Sequence, residues 1–339
     1  MAVTIKDVAK HAGVSTATVS RVLNRDPRTS ETTRIQVQRS LKALGYNMNA
    51  VARGLRTKKT FSIGFVTANI ISDYCMHVAQ GVDDSMSRAG YTMFMCGSGR
   101  NVEEEKLRLR TLLEKNVEGV IIMPATPKGA HYREVAERNI PIVLVDRFVD
   151  GFSTDAVLVE NIESTAKAIE YLLDVGFSRI GFIAGDPLMT SSKERLEGYL
   201  KAHERRNAIL WKDYIMFCEN NVESSILAMK KLYDLPKKPE CIFTANYKLF
   251  VGAVRFIQSL KTEGLSLALA SFDDPADLIH VPSGCIVSIA QPMQQIGEKA
   301  AELLLRRIKG DWEGFPETIR MEPEVRFHNG VKNVVEKVK

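Results

Sequence analysis

The sequence predicts an α/β protein: a small all-α module at the N-terminus, followed by two doubly wound parallel-sheet halves in series. Three observations predict it. After Thr60, apolar runs of strand length alternate with amphipathic helical stretches, the pattern of parallel sheets covered on both faces. Before Thr60, helix-capping signals are dense. The charge divides at the same place. Twelve of the 46 Lys and Arg precede Phe61 but only three of the 41 Asp and Glu, so the first sixty residues carry +9 and the remainder −4. A basic module ahead of a mildly acidic body is the electrostatic footprint of a polyanion binder.

The first helix opens on Thr4-Ile5-Lys6-Asp7, a capping box in which Thr4 caps the amide three residues on and Asp7 reaches back. Ile5, Val8 and Ala9 then share one face. His11-Ala12-Gly13 supplies a turn with a glycine able to take positive φ. Ser15 is placed to cap a second helix through Asn24, with Val19, Val22 and Leu23 inward and Thr16, Ala17, Ser20 and Arg21 outward. Two short helices joined this way match a helix-turn-helix, whose second helix enters the major groove. Ser30 caps a third helix reaching Leu44-Gly45, with Ile35, Val37, Leu41 and Leu44 as its apolar set.

In the body, strands are expected at 62–67, 91–96, 119–123 and 142–145, with an amphipathic helix from Val102 to Lys115. The scheme then repeats: strand 156–159, helix 164–175, strand 179–183, helix 193–206, strand 214–217, helix 222–232, strand 241–244, helix 248–260, and strands 267–271 and 286–289. Two such halves make a cleft, and ligands bind at the carboxyl ends of the strands.

A length of 339 residues suggests two or three units, and 45% hydrophobic content describes a folded chain. No run of eighteen apolar residues occurs and no apolar leader precedes the first helix, so neither a membrane span nor a secretory signal is expected, and the protein is expected in the cytoplasm. The five cysteines form no CxxC pair and read as reduced thiols. The six histidines lack ligand spacing, so neither metal nor cofactor is expected.

Ile5-Lys6-Asp7-Val8-Ala9, Ala12-Gly13-Val14-Ser15, Thr18-Val19-Ser20-Arg21-Val22-Leu23-Asn24 and Asn49-Ala50-Val51-Ala52-Arg53 together resemble the LacI/GalR family of bacterial repressors. The likeness continues through Pro141-Ile142-Val143-Leu144-Val145-Asp146-Arg147, Glu194-Arg195-Leu196-Glu197-Gly198-Tyr199, Ser271-Phe272-Asp273-Asp274 and Gln291-Pro292-Met293, and covers residues 3 to about 327. It implies a helix-turn-helix domain at 1–46, a hinge at 47–60, an effector domain similar to periplasmic sugar-binding proteins at 61–327, and a short tail at 328–339. Within the effector domain the halves would be 61–160 with 291–321, and 161–290 with 322–327. The resemblance places DNA contacts at Thr4, Ser15, Thr16, Ala17, Thr18, Ser20, Arg21, Asn24, Asn49, Ala52, Arg53 and Leu55. Leu55 would wedge between bases in the minor groove, where an apolar insertion bends the duplex; a core leucine is the alternative. Two departures loosen the hinge: Met48 replaces the usual proline, and Gly54 lies inside the segment.

By the same resemblance, the effector pocket takes Tyr74, Cys75, Arg147, Ser191, Arg195, Asn246, Tyr247 and Asp273. Met189 and Thr190 fill the loop before Arg195, and Glu160 lines the cleft. Arg195 and Asp273 could instead form an ion pair between the halves. Tyr247 replaces the family's usual aspartate while Arg147, Arg195, Lys193 and Lys248 remain, which favours an acidic sugar and a likeness to ketodeoxygluconate repressors.

The function expected is therefore a ligand-responsive repressor of a sugar or sugar-acid operon, a homodimer on palindromic operator DNA with no membrane partner. The alternative is a catabolite-control regulator using a phosphorylated carrier protein. Gln294 and Glu302 argue against it, since they stand where such relatives carry tyrosine and arginine and Glu302 would repel a phosphoserine. A transport component would need a leader. An enzyme is disfavoured because no dinucleotide fingerprint, Walker A motif or nucleophile elbow occurs. The twelve-residue tail is too short for a tetramerising coiled coil.

Overall fold

The computed structural model describes residues 3–23, 26–46, 59–260, 267–275 and 285–328. The chain divides into two units, Met1–Thr60 and Phe61–Lys339.

In the first unit, α1 (Ile5–His11), α2 (Thr16–Leu23) and α3 (Glu31–Ala43) close around Val8, Ala9, Ala12, Val19, Val22 and Val37. Each helix starts where a side chain satisfies an orphan amide. The Thr4 hydroxyl accepts from the Asp7 amide at 3.4 Å while the Thr4 amide donates to the Asp7 carboxylate at 2.9 Å. Ser15 caps α2 through the Thr18 amide at 3.1 Å, and Ser30 caps α3 through the Thr33 amide at 3.3 Å. Gly13 takes φ +59° in the turn between α1 and α2. Two expectations are corrected. Ile35 is 42% exposed and outside the core. Ser40 is buried on the inner side of α3, bonded to His11 Nδ1 at 3.0 Å and to the Gln36 carbonyl at 3.1 Å. Ser20, expected to face outward, is buried with Val19 and Val22.

The second unit holds two six-stranded sheets. In chain order the first half contributes β1 (Ser62–Thr67), α4 (Asp73–Arg88), β2 (Thr92–Gly97), α5 (Val102–Glu114), β3 (Val120–Met123), α6 (Arg133–Ala136), β4 (Ile142–Val145) and β5 (Asp155–Val159). The second contributes α7 (Asn161–Asp174), β6 (Ile180–Ala184), α8 (Thr190–Arg205), β7 (Ile215–Phe217), α9 (Val222–Tyr233), β8 (Cys241–Thr244), α10 (Tyr247–Ser259), β9 (Ala268–Phe272) and β10 (Cys285–Ala290). Then come α11 (Met293–Ile308), which packs on α4, β11 (Thr318–Met321) and β12 (Glu324–Phe327). The sheet orders are β11-β5-β4-β3-β1-β2 and β12-β10-β9-β8-β6-β7. All pairings are parallel except β10–β12. The chain therefore passes between sheets after β5, after β10 and between β11 and β12.

Helices on both faces bury the central strands β1, β3, β4, β5, β6, β8 and β9 completely, which is why they read as unbroken apolar runs. The edge strands β2, β7, β11 and β12 are partly exposed. Tyr214, expected in a strand, lies in a 3-10 turn at 212–214, its ring stacked on Trp211 and its hydroxyl bonded to the Lys237 carbonyl at 2.7 Å. α7 begins three residues before the expected start because Glu160 caps it through the Glu163 amide. Where α4 crosses α11 the backbones nearly touch: a Cβ on Gly81 would lie 2.0 Å from the Gln294 carbonyl oxygen, and one on Gly297 2.0 Å from that of Val78. Arg307 of α11 and Asp155 of β5 form a fully buried ion pair, with Nε–Oδ2 2.7 Å and Nη2–Oδ1 3.1 Å. The Glu317 amide adds a third bond to Asp155 at 2.7 Å.

Candidate nucleic-acid interface and ligand cleft

On α2 the side chains of Thr16, Ala17 and Arg21 are exposed, and Thr18 is partly so. Arg21 makes no hydrogen bond or ion pair within the described residues, whereas nearby Arg28 is held by Asp26 at 2.7 Å. Arg21 is exposed, and its charge reaches the Asp26 carboxylate without an ion pair among the described residues. Thr4 and Ser15 are exposed at the starts of α1 and α2, their hydroxyls already in caps. Ser20 is buried beside Val19. Asn24, Asn49, Ala52, Arg53 and Leu55 lie outside the described residues.

The effector unit brings its expected residues to the carboxyl ends of the strands. Arg195, in α8, is buried. Its Nε donates to Asn161 Oδ1 at 2.8 Å, its Nη1 to the Ala245 carbonyl at 2.6 Å, and its guanidinium lies 3.6 Å from the Phe272 ring centre. Neither bond uses Nη2. Arg195 and Asp273 form no ion pair, although Asp273 is close enough to act on the arginine's charge. Instead Asp273 accepts from the Tyr247 amide at 3.0 Å and from Gln291 Nε2 at 2.5 Å.

Tyr74 stands among these groups. Its hydroxyl is buried with no hydrogen-bond partner, and burial followed by the charge of Asp146 holds its pKa well above the usual tyrosine range. Gln291 Oε1 is likewise buried and unpartnered. Unsatisfied polar atoms in a cleft carry a desolvation cost that a bound polar ligand removes.

Other expected residues are less available. Arg147 folds back onto Asp146, with Nε–Oδ2 2.7 Å and a second bond from Nη2, so its fork does not point freely into the cleft. Cys75 is buried and its thiol accepts from Thr67 Oγ1 at 3.1 Å. Ser191 is buried in the first turn of α8, and Thr190 beside it donates to the Phe148 carbonyl of the first half at 3.4 Å. Asn246 caps α10 through the Leu249 amide at 3.2 Å, which directs the amide of Tyr247 to Asp273. Glu160 caps α7 at the crossing between halves, accepting from the Glu163 amide at 3.4 Å. Lys193 is exposed on α8.

Three residues outside the expected set belong to the site: Asp146, Gln291 and Asn161. A sequence signal marked the first, since Val145-Asp146 and Phe272-Asp273 end strands in the same way. Nothing local marked Asn161. It matters because it links Arg195 to Glu194 at 2.7 Å, and Glu194 pairs with Arg320 of β11 at 2.6 Å. A continuous polar chain thus runs from the cleft base to the other half.

At the mouth, residues of both halves enclose a cavity of about 770 Å³ that includes Asn69, Arg100, Asp186, Asn220 and Lys248. A larger one, about 1130 Å³, lies at the opposite edge of the second sheet, beside Arg179, Glu240 and Leu267, which precede the strands. The carboxyl-end cleft carries the orphan polar atoms and is the better ligand site. Among the described residues no cluster of His, Cys, Asp and Glu could hold a metal, and no helix is long and apolar enough to cross a membrane.

Two family models match the chain: bacterial regulatory proteins of the lacI family over residues 4–49, and periplasmic binding proteins and sugar-binding domain of the LacI family over residues 60–327. The chain is 33% identical over 335 residues to the HTH-type transcriptional repressor PurR of Actinobacillus pleuropneumoniae serotype 5b (strain L20), covering 98% of this chain and 99% of that protein. It is 32% identical to PurR of Yersinia enterocolitica serotype O:8 / biotype 1B, covering 95% of each. Among solved structures it resembles the lac repressor dimer bound to operator and the anti-inducer ONPF, with TM-score 0.82, 23% identity, and 96% and 98% of the two chains covered. It also resembles a complex of the transcriptional regulator CelR with cellobiose, with TM-score 0.71, 25% identity and the same coverage.

Proposed function

Because this chain belongs to the lacI family of bacterial regulatory proteins, which are DNA-binding transcriptional repressors, we propose that it represses a carbohydrate or sugar-acid catabolic operon under control of a small-molecule effector. It acts as a homodimer on a palindromic operator, because each chain offers one recognition helix and two-fold protein symmetry is mirrored in the site. Thr16, Ala17 and Arg21 read bases, while Thr4, Ser15 and Thr18 help position the module. Asn24, Asn49, Ala52, Arg53 and Leu55 complete the contact on the family pattern.

The observation that carries the reading is the pairing, in one chain, of an exposed Arg21 on the outer face of α2 with orphan polar atoms on Tyr74 and Gln291 in a strand-end cleft. The effector is a sugar acid: Tyr74 offers aromatic surface, Asp273 accepts hydroxyl protons, and basic side chains crowd the mouth. Ligand closes the two halves on each other, and this changes operator affinity through its different affinity for the two states.

A thermal-shift screen over sugars, sugar acids and phosphosugars tests the effector. A ligand that binds only the folded protein adds about 2.7 kcal/mol at one hundred times its dissociation constant. The best ligand is then expected to change operator affinity. A panel in which no member either stabilises the protein or moves operator binding contradicts the reading.

A further inference from the structure

Arg100 and Lys248 reach the same cavity from opposite halves. Arg100 follows β2 and adopts φ +60°, directly after Gly99 at +59°. That conformation is unfavourable for a side chain with a Cβ and is kept where the surroundings require it. Lys248 is half-buried in the first turn of α10, where a cation opposes the helix dipole. Both line the 770 Å³ cleft mouth.

Among the described residues neither cation makes an ion pair or a hydrogen bond. Two acids line the same cavity, Asp186, which accepts from the Leu188 amide at 2.8 Å, and Glu219, which accepts from Asn221 Nδ2 at 3.0 Å; the charges of Asp146 and Asp186 reach Arg100 without pairing with it. Asn220 Oδ1 is buried there without a partner. Partial burial, and then the charge of Arg100, holds the Lys248 ammonium below its usual pKa. Asn221 caps α9, so the positive ends of α9 and α10 both face this region. Two cations without an ion pair and two helix N-termini border one cavity, an arrangement with room for an anionic group between them.

We propose that Arg100 and Lys248 together clasp an anionic group of the effector, a carboxylate or a phosphate, at the cleft mouth. The ligand is then an elongated acid whose hydroxylated part lies deeper, against Tyr74, Arg195 and Asp273. Arg147 does not hold the acid, because Asp146 already occupies its fork. This deepens the effector reading above and rests on it.

The test uses the full-length protein and inorganic phosphate at constant ionic strength. Phosphate is expected to raise the Tm of the wild type, and Arg100→Gln and Lys248→Gln are each expected to weaken that response by about tenfold in apparent affinity. Lys248→Arg is expected to keep it. Neither glutamine variant is expected to lose Tm without phosphate, since neither side chain makes an ion pair or a hydrogen bond among the described residues. Glucose, gluconate and glucose 6-phosphate form the second arm. Either acid binding tighter than glucose in the wild type, with the difference gone in both variants, supports the clasp and tells carboxylate from phosphate. A phosphate response that is absent, or that survives both substitutions, overturns it. Phosphate dependence on Arg100 and Lys248 without binding of any of the three sugars leaves the clasp standing and removes the sugar reading.

Discussion

Asp146 and Asp273 occupy equivalent positions in the two halves. β4 and β9 have the same place in sheets ordered β2-β1-β3-β4-β5 and β7-β6-β8-β9-β10, and each aspartate directly follows its strand, at φ +76° and +75°. Aspartate tolerates this left-handed backbone better than most residues. Their partners differ. Asp146 pairs with its neighbour Arg147, whereas Asp273 is held by the Tyr247 amide and Gln291 and, among the described residues, forms no ion pair, although its charge reaches Arg195.

Asp273→Asn is therefore expected to weaken effector binding with little loss of stability. Asparagine tolerates the same backbone, and a hydrogen bond to a charged group contributes about 1.5–3 kcal/mol. Calorimetric titration with the best ligand from the screen reads the loss. Unchanged affinity places the ligand elsewhere.

Arg21→Ala is expected to relax base preference at one position of each half-site, at a cost of about 1–3 kcal/mol against the preferred base. Binding to a library of single-base operator variants reads it. Uniform weakening with a shallower salt dependence makes Arg21 a phosphate contact instead.

The strand-helix alternation of the body was legible because helices on both faces bury the central strands, and a doubly covered strand is apolar at every position. The edge strands β11 and β12 were not legible: four residues with alternate exposure carry too little pattern, and their placement depends on chain crossings distant in sequence. The cleft was legible only in part. Arg195 and Asp273 come together at strand ends as the family likeness implied. The occupation of Arg147 by Asp146, the burial of Ser20 and the Asn161–Glu194–Arg320 chain depend on side-chain rotamers and on contacts made across the fold, which periodicity does not encode.

Asp155→Ala is expected to cost about 3–5 kcal/mol, because it leaves Arg307 buried and charged without its carboxylate. Urea unfolding of the effector unit measures it. A change below about 1 kcal/mol, the range of exposed pairs, means that solvent reaches Arg307.

His203 supplies a pH test. Its ring is buried in α8, with Nδ1 2.9 Å from the Tyr199 carbonyl and Nε2 without a partner. Burial, opposed by the Tyr199 bond, lowers its folded pKa. The unfolded chain therefore binds the proton first, so stability falls as pH drops below the unfolded value of about 6.5. His203→Gln is expected to flatten the decline of Tm between neutral pH and the acid limb. An identical slope in the variant assigns the decline to other groups.

Effector in the strand-end cleft is expected to set how tightly the exposed face of α2 holds operator. The most direct measurement is operator anisotropy with and without the effector, for the wild type and for Arg195→Ala. Both proteins are expected to bind operator in the absence of ligand, effector to shift the wild-type curve, and the shift to disappear in Arg195→Ala together with ligand affinity, since coupling is reciprocal. An Arg195→Ala protein that binds effector normally and still answers to it at the operator contradicts the account.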